Sequence, residues 1–110
     1  MRILTTAGMV IGLAFSSAFA DSPPLHPQRQ SELIHLVRQD CGSCHGMELR
    51  GGLGPALTPQ TLKDKPVSSL VSTILHGRPG TPMPPWKNFL SESEAGWIVD
   101  NLQKGFPDAR

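Results

Sequence analysis

The sequence lacks a large net charge of either sign. Ten Lys and Arg residues stand against nine Asp and Glu residues. Without residues 1–20, which include Arg2, the balance would be nine (ten minus one) against nine. Domains that bind nucleic acids carry a basic surface patch or stripe. The overall charge therefore argues against a nucleic acid as the partner of this chain.

Long hydrophobic runs are also missing. The apolar stretch over residues 3–14 contains two threonines and two glycines, and it is shorter than the roughly 20 residues that a membrane-spanning helix needs. A positive start at Arg2 and a small-x-small site at residues 18–20 (AFA) flank it. This pattern predicts a signal peptide over residues 1–20, cleaved after Ala20, and hence a periplasmic protein. An uncleaved membrane anchor is the alternative, and nothing after residue 20 could cross a membrane.

The rest of the chain has no convincing strand, internal repeat or low-complexity tract. It is rich in helix breakers, since the full sequence has 11 glycines and 11 prolines, most of them in residues 42–85. We predict a flexible lead-in over residues 21–30 and a single domain over residues 31–110. A domain with so much loop has a small core and usually needs a staple. Two cysteines and a cofactor could supply one.

Apolar residues recur at helical spacing in three segments, with loops expected over residues 46–60 and 78–90. The first helix is predicted to begin at Ser31 and to run into Cys41. Its apolar face comprises Leu33, Ile34, Leu36 and Val37. The sequence therefore predicts an all-α domain.

The two later helices carry clearer end signals. The second is predicted to begin within residues 64–67, with Pro66 in its first turn, and to stop at Gly77. Its apolar stripe comprises Leu70, Val71, Ile74 and Leu75. The last helix is predicted to begin at Ser91, where Glu94 completes a capping box.

The chemistry lies in residues 41–45, CGSCH, which match the C-x-x-C-H haem attachment pattern. Two thiols at this spacing at the end of a helix can reach both vinyl groups of one haem. Cys41 and Cys44 would then form two thioethers, and His45 would lie under the iron and donate an imidazole nitrogen. The pattern predicts one covalently attached haem c.

Three other interpretations of the two cysteines compete with haem attachment. A thioredoxin-like redox pair needs a βαβ context, which the sequence does not show. A zinc site needs four ligands, and the scattered histidines lack finger spacing. A structural disulfide suits an exported protein. None of the three needs a histidine at position 45.

A six-coordinate iron needs a second axial ligand, and Met83 is the best placed. It lies in the loop Pro82-Met83-Pro84-Pro85, where prolines fix φ and can hold a thioether in position. A Met/His pair raises the reduction potential, which suits an electron carrier. The alternative is a surface methionine in a proline-rich turn. The less favoured candidates are Met47, His26, His35 and His76.

Two further residues are candidates for supporting the haem. Pro55 lies ten positions after His45, and its carbonyl could accept the second ring N–H of that ligand. Pro55 could equally be an ordinary turn proline. Trp86 follows the methionine loop, where its indole N–H could reach a haem propionate or its ring could simply pack.

Basic residues gather in the segments that would surround the haem. They are Arg50, Lys63, Lys65, Arg78 and Lys87, with only Asp64 against them. A basic rim around the exposed haem edge would steer an acidic partner. An ordinary solvated face is the alternative.

From about Ser31 to Gly105 the chain resembles the class I cytochromes c. The resemblance rests on CGSCHG, GLGPAL, GTPMPPW and a terminal amphipathic helix. It implies a small all-α fold of three main helices around one haem, in which the first and last helices cross. It also implies His45 and Met83 as axial ligands and a Pro55 carbonyl that accepts from His45. The first helix lacks the family's usual Gly and aromatic residue, so we expect a looser or different crossing, with Trp97 filling the gap.

Taken together with EAGWIVDNL, these motifs look most like the NirC-type cytochromes, which are encoded beside dissimilatory nitrite reductase in denitrification. The resemblance implies a one-electron carrier and no enzymatic activity, with the nitrite reductase as electron acceptor. Two alternatives remain open. One is a ligand-binding or sensing protein with an open sixth site, and the other is an accessory factor in maturation of the reductase's d-type haem.

Overall fold

A computed structural model describes residues 24–107 together with Gly12. The predicted signal peptide, apart from that glycine, and residues 21–23 of the lead-in lie outside the described residues. Within residues 24–107 the chain is helical and contains no strand, which confirms the all-α prediction. The elements in chain order are α1 (Pro27–Leu36), a π-helical turn (Val37–Cys41), α2 (Gly42–His45), α3 (Pro59–Leu62), α4 (Val67–His76) and α5 (Glu92–Lys104).

The first helix begins earlier than its sequence suggests. It starts at Pro27, so the prediction of a start at Ser31 is wrong and the end of the predicted lead-in is helical. Proline suits the first position of a helix because its missing N–H would have no partner there. The π-helical turn continues the first helix to Cys41, as predicted. Leu33 and Val37 lie fully buried on the inner face of this helical segment.

The region after the haem motif contains a short helix that the sequence analysis missed. The one-turn helix α3 begins at Pro59, inside the segment predicted to be loop up to residue 60. Leu62 is buried at its end, and the Leu62 carbonyl accepts a hydrogen bond of 3.2 Å from Gln103 on α5. Tertiary packing therefore stabilises a turn too short for periodicity to reveal.

The later helices follow their predicted ends closely. Helix α4 begins at Val67, and Pro66 lies just before it as the cap residue, not inside the first turn. Helix α5 begins after Ser91, whose hydroxyl accepts from the Glu94 N–H at 3.1 Å. The Glu94 carboxylate accepts from the Ser91 N–H at 2.9 Å, which confirms the capping box. Among the described residues, no helix has the length and apolar character needed to cross a bilayer.

The core gathers around the first and last helices. Its fully or nearly fully buried members are Leu33, Val37, Leu49, Leu62, Leu90, Ala95, Ile98, Val99 and Leu102. Helix α4 contributes none of them, although Leu70 and Ile74 pack against the cluster. Leu70 and Ile74 also line a cavity, described below, so half of the apolar stripe of α4 faces the candidate site.

Two arginines tie the first helix to the end of the chain. Arg29 on α1 forms an ion pair with Glu94 on α5. Arg38 donates to the carbonyls of Phe106 at 2.9 Å and Pro107 at 3.1 Å. Trp97 packs edge-on against Phe106, with 6.3 Å between the ring centroids. The first helical segment lacks the family's usual glycine and aromatic residue. An ion pair near its start and hydrogen bonds near its end accompany its apolar contacts.

Candidate haem site

A cavity of about 1150 Å³ opens between α2, α4, α5 and the loops that follow α2 and α4. This volume is above the roughly 300–1000 Å³ common for cofactor and small-molecule pockets. All of the site residues predicted from the sequence line it, namely Cys41, Cys44, His45, Pro55, Met83 and Trp86. Residues that are 42 positions apart in sequence, such as Cys41 and Met83, are thereby brought to one cavity.

His45 is held at its ring by the loop that follows it. Its Nδ1 lies 2.7 Å from the Pro55 carbonyl oxygen, which can only accept, so Nδ1 carries the proton. The other ring nitrogen, Nε2, is then left with the lone pair that a metal ion requires. This arrangement is the one in which a carbonyl orients a ligating imidazole and strengthens its basicity.

Backbone hydrogen bonds fold that loop tightly under His45. The Gly51 N–H donates to the His45 carbonyl at 2.8 Å, and the Gly54 N–H donates to the Cys44 carbonyl at 2.8 Å. Leu49 has a positive φ of 60°, which costs a non-glycine residue about 1–2 kcal/mol. Its side chain is buried in the core, and this burial offsets the strain.

Met83 is held through the backbone of its loop. The Met83 carbonyl accepts from the Arg78 N–H at 3.3 Å, close to the end of α4. After the prolines, the Trp86 and Lys87 N–H groups donate to the last carbonyls of α4, those of Ile74 and Leu75, at 3.0 and 3.2 Å. The loop therefore closes over the C-terminus of α4 and holds the half-buried Met83 side chain at the cavity.

The less favoured ligand candidates lie elsewhere. Met47 is 60% exposed, and neither it nor His26, His35 or His76 lines this cavity. His76 instead borders a separate surface depression between α4 and α5. Of the five candidate side chains for the second axial position, only Met83 shares the cavity with His45.

The two cysteines do not form a disulfide with each other, which leaves both sulfur atoms available for thioether bonds. Burial is the main reason that the pKa of the Cys41 thiol rises to about 11. An uncharged sulfur therefore suits this wall, and a thioether at the same place would also carry no charge.

Among the residues that the structure describes, no cluster of three or more His, Cys, Asp or Glu side chains could hold a metal ion, and no strand provides a βαβ unit.

Most of the remaining cavity wall is apolar, as a large hydrophobic ring requires. It is formed mainly by Leu57, Leu70, Ile74, Ile98, Val99 and Leu102. Two cysteine sulfur atoms, a tethered imidazole and a thioether sulfur complete the donor set. The residues present therefore fit a covalently attached haem.

Two of the basic residues lie at the cavity, whose lining also includes the acidic Asp40. Lys65 and Arg78 line the cavity, and neither they nor Lys63 and Lys87 form an ion pair with another residue in the described range. Arg50 differs, since it lies 3.7 Å from Glu48.

This combination of motif, cavity and donor set defines the class as a c-type cytochrome. The family described as "Cytochrome C oxidase, cbb3-type, subunit III" matches residues 28–102. Cytochrome c55X of Pseudomonas aeruginosa is 54% identical over 99 residues, which cover 88% of this chain and 83% of that protein. The chain belongs to the cytochrome c family and carries covalently bound haem c, for which residues 41–45 supply the attachment motif.

The comparison with solved structures gives a narrower relationship. The structure of a protein described as c-type cytochrome NirC has a TM-score of 0.72 and 60% identity, and the match covers 74% of this chain and 95% of that chain. The small class I cytochrome fold predicted from the sequence is thus confirmed.

A second kind of relative is much larger. Dihydro-heme d1 dehydrogenase of Pseudomonas aeruginosa is 38% identical over 72 residues, which cover 66% of this chain but only 15% of that protein. The structure titled "Dihydro-heme d1 dehydrogenase NirN in complex with DHE" matches with a TM-score of 0.59 and 36% identity, over 67% of this chain and 16% of that one. A short region of this relative therefore resembles about two thirds of this chain.

Two glycines shape the site through contacts that the sequence does not identify. Gly54 lies against the His45 ring and Gly77 lies against the Met83 carbonyl. Both stand beside recognised residues in the sequence. Neither neighbourhood distinguishes them from the other glycines of the same loops, because the close contacts come from the fold.

Proposed function

We propose that this chain is a periplasmic one-electron carrier that donates electrons to a dissimilatory nitrite reductase. The coarser statement, a mono-haem c-type cytochrome of the electron-transfer kind, follows from the family. The observation that carries the finer proposal is that His45 and Met83 line one cavity with both cysteines. Export through a signal peptide over residues 1–20 is part of the proposal.

His45 and Met83 fill the two axial positions in this proposal. The haem, when bound, supplies a one-electron redox centre whose potential a Met/His pair raises. Pro55 holds the His45 ring through its carbonyl, at 2.7 Å. If both side chains hold the iron, no site would be left on it for a substrate, which fits a carrier and not an enzyme.

Trp86 has a supporting role in the same proposal. It lines the cavity, and its backbone N–H is already used by the Ile74 carbonyl. The indole N–H is therefore the donor that this residue can offer to a haem propionate. Its ring also packs against the core cluster.

In this proposal the docking surface for the partner comes from four basic residues that form no ion pair within the described range. Lys65 and Arg78 lie at the cavity itself, with Lys63 and Lys87 in the neighbouring segments. Cations without internal partners attract an acidic surface and speed its approach. At 0.1 M salt, the attraction between exposed charges is largely screened beyond about 10 Å. The reaction should therefore slow as salt is added.

The test measures the rate at which the reduced protein transfers electrons to a purified dissimilatory nitrite reductase. The double variant Lys65→Glu/Arg78→Glu should lower the second-order rate by about tenfold or more at low salt. Lys104→Glu is the matched control, because Lys104 lies on α5 and pairs with Asp100 at 2.8 Å. No transfer by the wild-type protein would contradict the proposal, and equal rates for all variants would contradict the docking surface.

A second candidate function is suggested by the larger relative. A protein described as dihydro-heme d1 dehydrogenase contains a region similar to this chain, which favours an accessory role in maturation of the reductase's d-type haem. The two functions separate in a strain that carries only Met83→Ala or Cys44→Ala. Active reductase in that strain would favour an accessory role without electron transfer, and inactive reductase together with normal wild-type transfer would favour electron supply.

A further inference from the structure

We propose that Gly54 is a positioning residue for the haem ligand, because its missing side chain allows the backbone to lie against the His45 imidazole and fix the plane of that ring. The proposal rests on the proposed function only in taking His45 as an axial ligand. It adds a determinant of ring orientation to the hydrogen bond that Pro55 accepts.

The contact between Gly54 and His45 is unusually close. A Cβ atom placed on Gly54 would lie 2.8 Å from both Cε1 and Nδ1 of the His45 ring and 3.3 Å from Nε2. Real Cβ atoms essentially never come within 3.0 Å of such a neighbour, so one of the two groups would have to move. Two ring atoms lie within this range and Nε2 lies just outside it, so Gly54 lies beside the nitrogen side of the ring.

The glycine is needed here for space and not for its backbone conformation. Gly46 and Gly51 in the same loop have φ values of 92° and 108°, in the region that favours glycine, whereas Gly54 does not. An alanine could therefore adopt the Gly54 backbone angles. What alanine could not do is share the position with the imidazole.

Neither group can easily give way. The Gly54 N–H donates to the Cys44 carbonyl at 2.8 Å, and the Gly54 carbonyl accepts from the Gly52 N–H at 2.9 Å. Pro55, the next residue, holds Nδ1 of His45 at 2.7 Å. A methyl group at position 54 would push the ring against this short bond, so the ring would turn or the bond would lengthen.

Either response has a measurable consequence at the redox centre. The hydrogen bond to Nδ1 increases the basicity of a ligating imidazole and so favours the oxidised metal. If the bond lengthens, the reduction potential rises. If the ring turns, the g values of the low-spin ferric protein and the hyperfine-shifted haem methyl resonances change, because both depend on the ligand plane.

The experiment compares Gly54→Ala with two matched glycine variants in the haem-loaded protein. Gly51→Ala lies in the same loop and strains the backbone, but its Cβ would meet only ordinary contacts of 3.6 Å or more. Gly96→Ala lies in α5, where no atom comes within 4 Å of the added carbon. Electron paramagnetic resonance, proton NMR and potentiometry are recorded for all of them and for the wild type.

We expect changed g values, a changed methyl pattern and an upward shift in potential for Gly54→Ala alone. Wild-type values for Gly54→Ala, or the same change in Gly51→Ala, would overturn the proposal. If Gly54→Ala yields no haem-loaded protein, an NMR measurement on the wild type tests the proposal instead. Nuclear Overhauser contacts between the His45 ring and both Gly54 α protons support the proposal, and their absence overturns it. A wild-type protein without methionine ligation would count against the proposed function and not against the role of Gly54, since this test concerns only the His45 side.

Discussion

The His45 side and the Met83 side of the cavity are organised differently. On the His45 side a hydrogen bond reaches the functional ring itself, through the Pro55 carbonyl at 2.7 Å. On the Met83 side no hydrogen bond reaches the thioether: the Met83 carbonyl accepts from the Arg78 N–H at 3.3 Å, and the Met83 N–H donates to the Thr81 hydroxyl at 3.4 Å. The chemistry of the two side chains accounts for this, since an imidazole has an N–H to donate whereas a thioether is only a weak acceptor.

The comparison shows which substitutions should disturb each proposed ligand. His45 depends on individual atoms next to its ring, so single substitutions there should alter the ligand directly. Met83 depends on how its loop closes over α4, so changes at the end of α4 should affect it from a distance. The predictions below test this difference, beginning with the largest expected effect.

Replacing His45 should have the largest consequence. We expect His45→Ala to give almost no haem-bearing protein, because the motif loses the imidazole that follows the two thiols, and cofactor binding is coupled to folding. The measurement is the covalently bound haem per chain in exported protein. His35→Ala is the control, since His35 is exposed on α1 and outside the cavity. Normal haem content in His45→Ala would contradict the role assigned to this residue.

Replacing Met83 should be less damaging to assembly but decisive for the spectrum. Met83→Ala should keep its haem, lose all methionine ligation, bind carbon monoxide readily when reduced, and show a lower reduction potential. Absorption spectroscopy and potentiometry in both oxidation states provide the check. Met47→Ala, at a residue that is 60% exposed and outside the cavity, should behave as the wild type does.

Replacing Gly77 should loosen the Met83 side from outside the cavity. Gly77 has a φ of 70°, and an added Cβ would lie 2.6 Å from the Met83 carbonyl oxygen. The backbone strain alone should lower the free energy of unfolding by about 1–2 kcal/mol, and the clash should reduce the fraction of protein with methionine bound.

A matched glycine separates the two effects of that substitution. Gly80 has a similar φ of 78°, but no atom lies within 4 Å of a Cβ placed there. Gly80→Ala should therefore show the loss of stability, measured by denaturant unfolding, without the loss of methionine ligation. Equal methionine ligation in the two variants would show that contact with Gly77 does not hold the loop.

The smallest predicted effect concerns pH and lies away from both ligands. The Arg29 guanidinium lowers the pKa of the Glu94 carboxyl in the folded state from its ordinary value of 4.5. This ion pair therefore stabilises the fold above about pH 4.5, and its contribution is lost as the pH falls through the lower folded pKa. In denaturant unfolding, the difference between wild type and Glu94→Gln should be largest near neutral pH and should shrink in acid.

Glu92→Gln is the control for this pH dependence. Glu92 is exposed in the first turn of the same helix, so its replacement should leave the pH profile close to that of the wild type. A Glu94→Gln difference that is constant from neutral to acidic pH would contradict the role of the ion pair.

Much of the fold could be predicted because its signals are local. The capping box at Ser91 and Glu94 and the stop at Gly77 involve residues within one turn of each helix end. The C-x-x-C-H motif places three functional groups within five positions. Local signals of this kind survive in a single sequence because they need no knowledge of the distant chain.

The features that escaped prediction depend on contacts between distant segments. Helix α3 is too short for periodicity, and Gln103, 41 positions away, bonds to its Leu62 carbonyl. The tie between Arg29 and Glu94 joins residues 65 positions apart. Another group approaches Gly54 and Gly77 closely in three dimensions, in addition to the positive φ at Gly77. A sequence pattern carries no record of such approaches.

The central claim, that His45 and Met83 are the axial ligands, has one most direct test. The visible spectrum of the ferric wild-type protein should show the weak red charge-transfer band that sulfur ligation of iron produces. This band should persist in Met47→Ala and vanish in Met83→Ala. A high-spin ferric wild-type spectrum, or a band that survives Met83→Ala, would contradict the account.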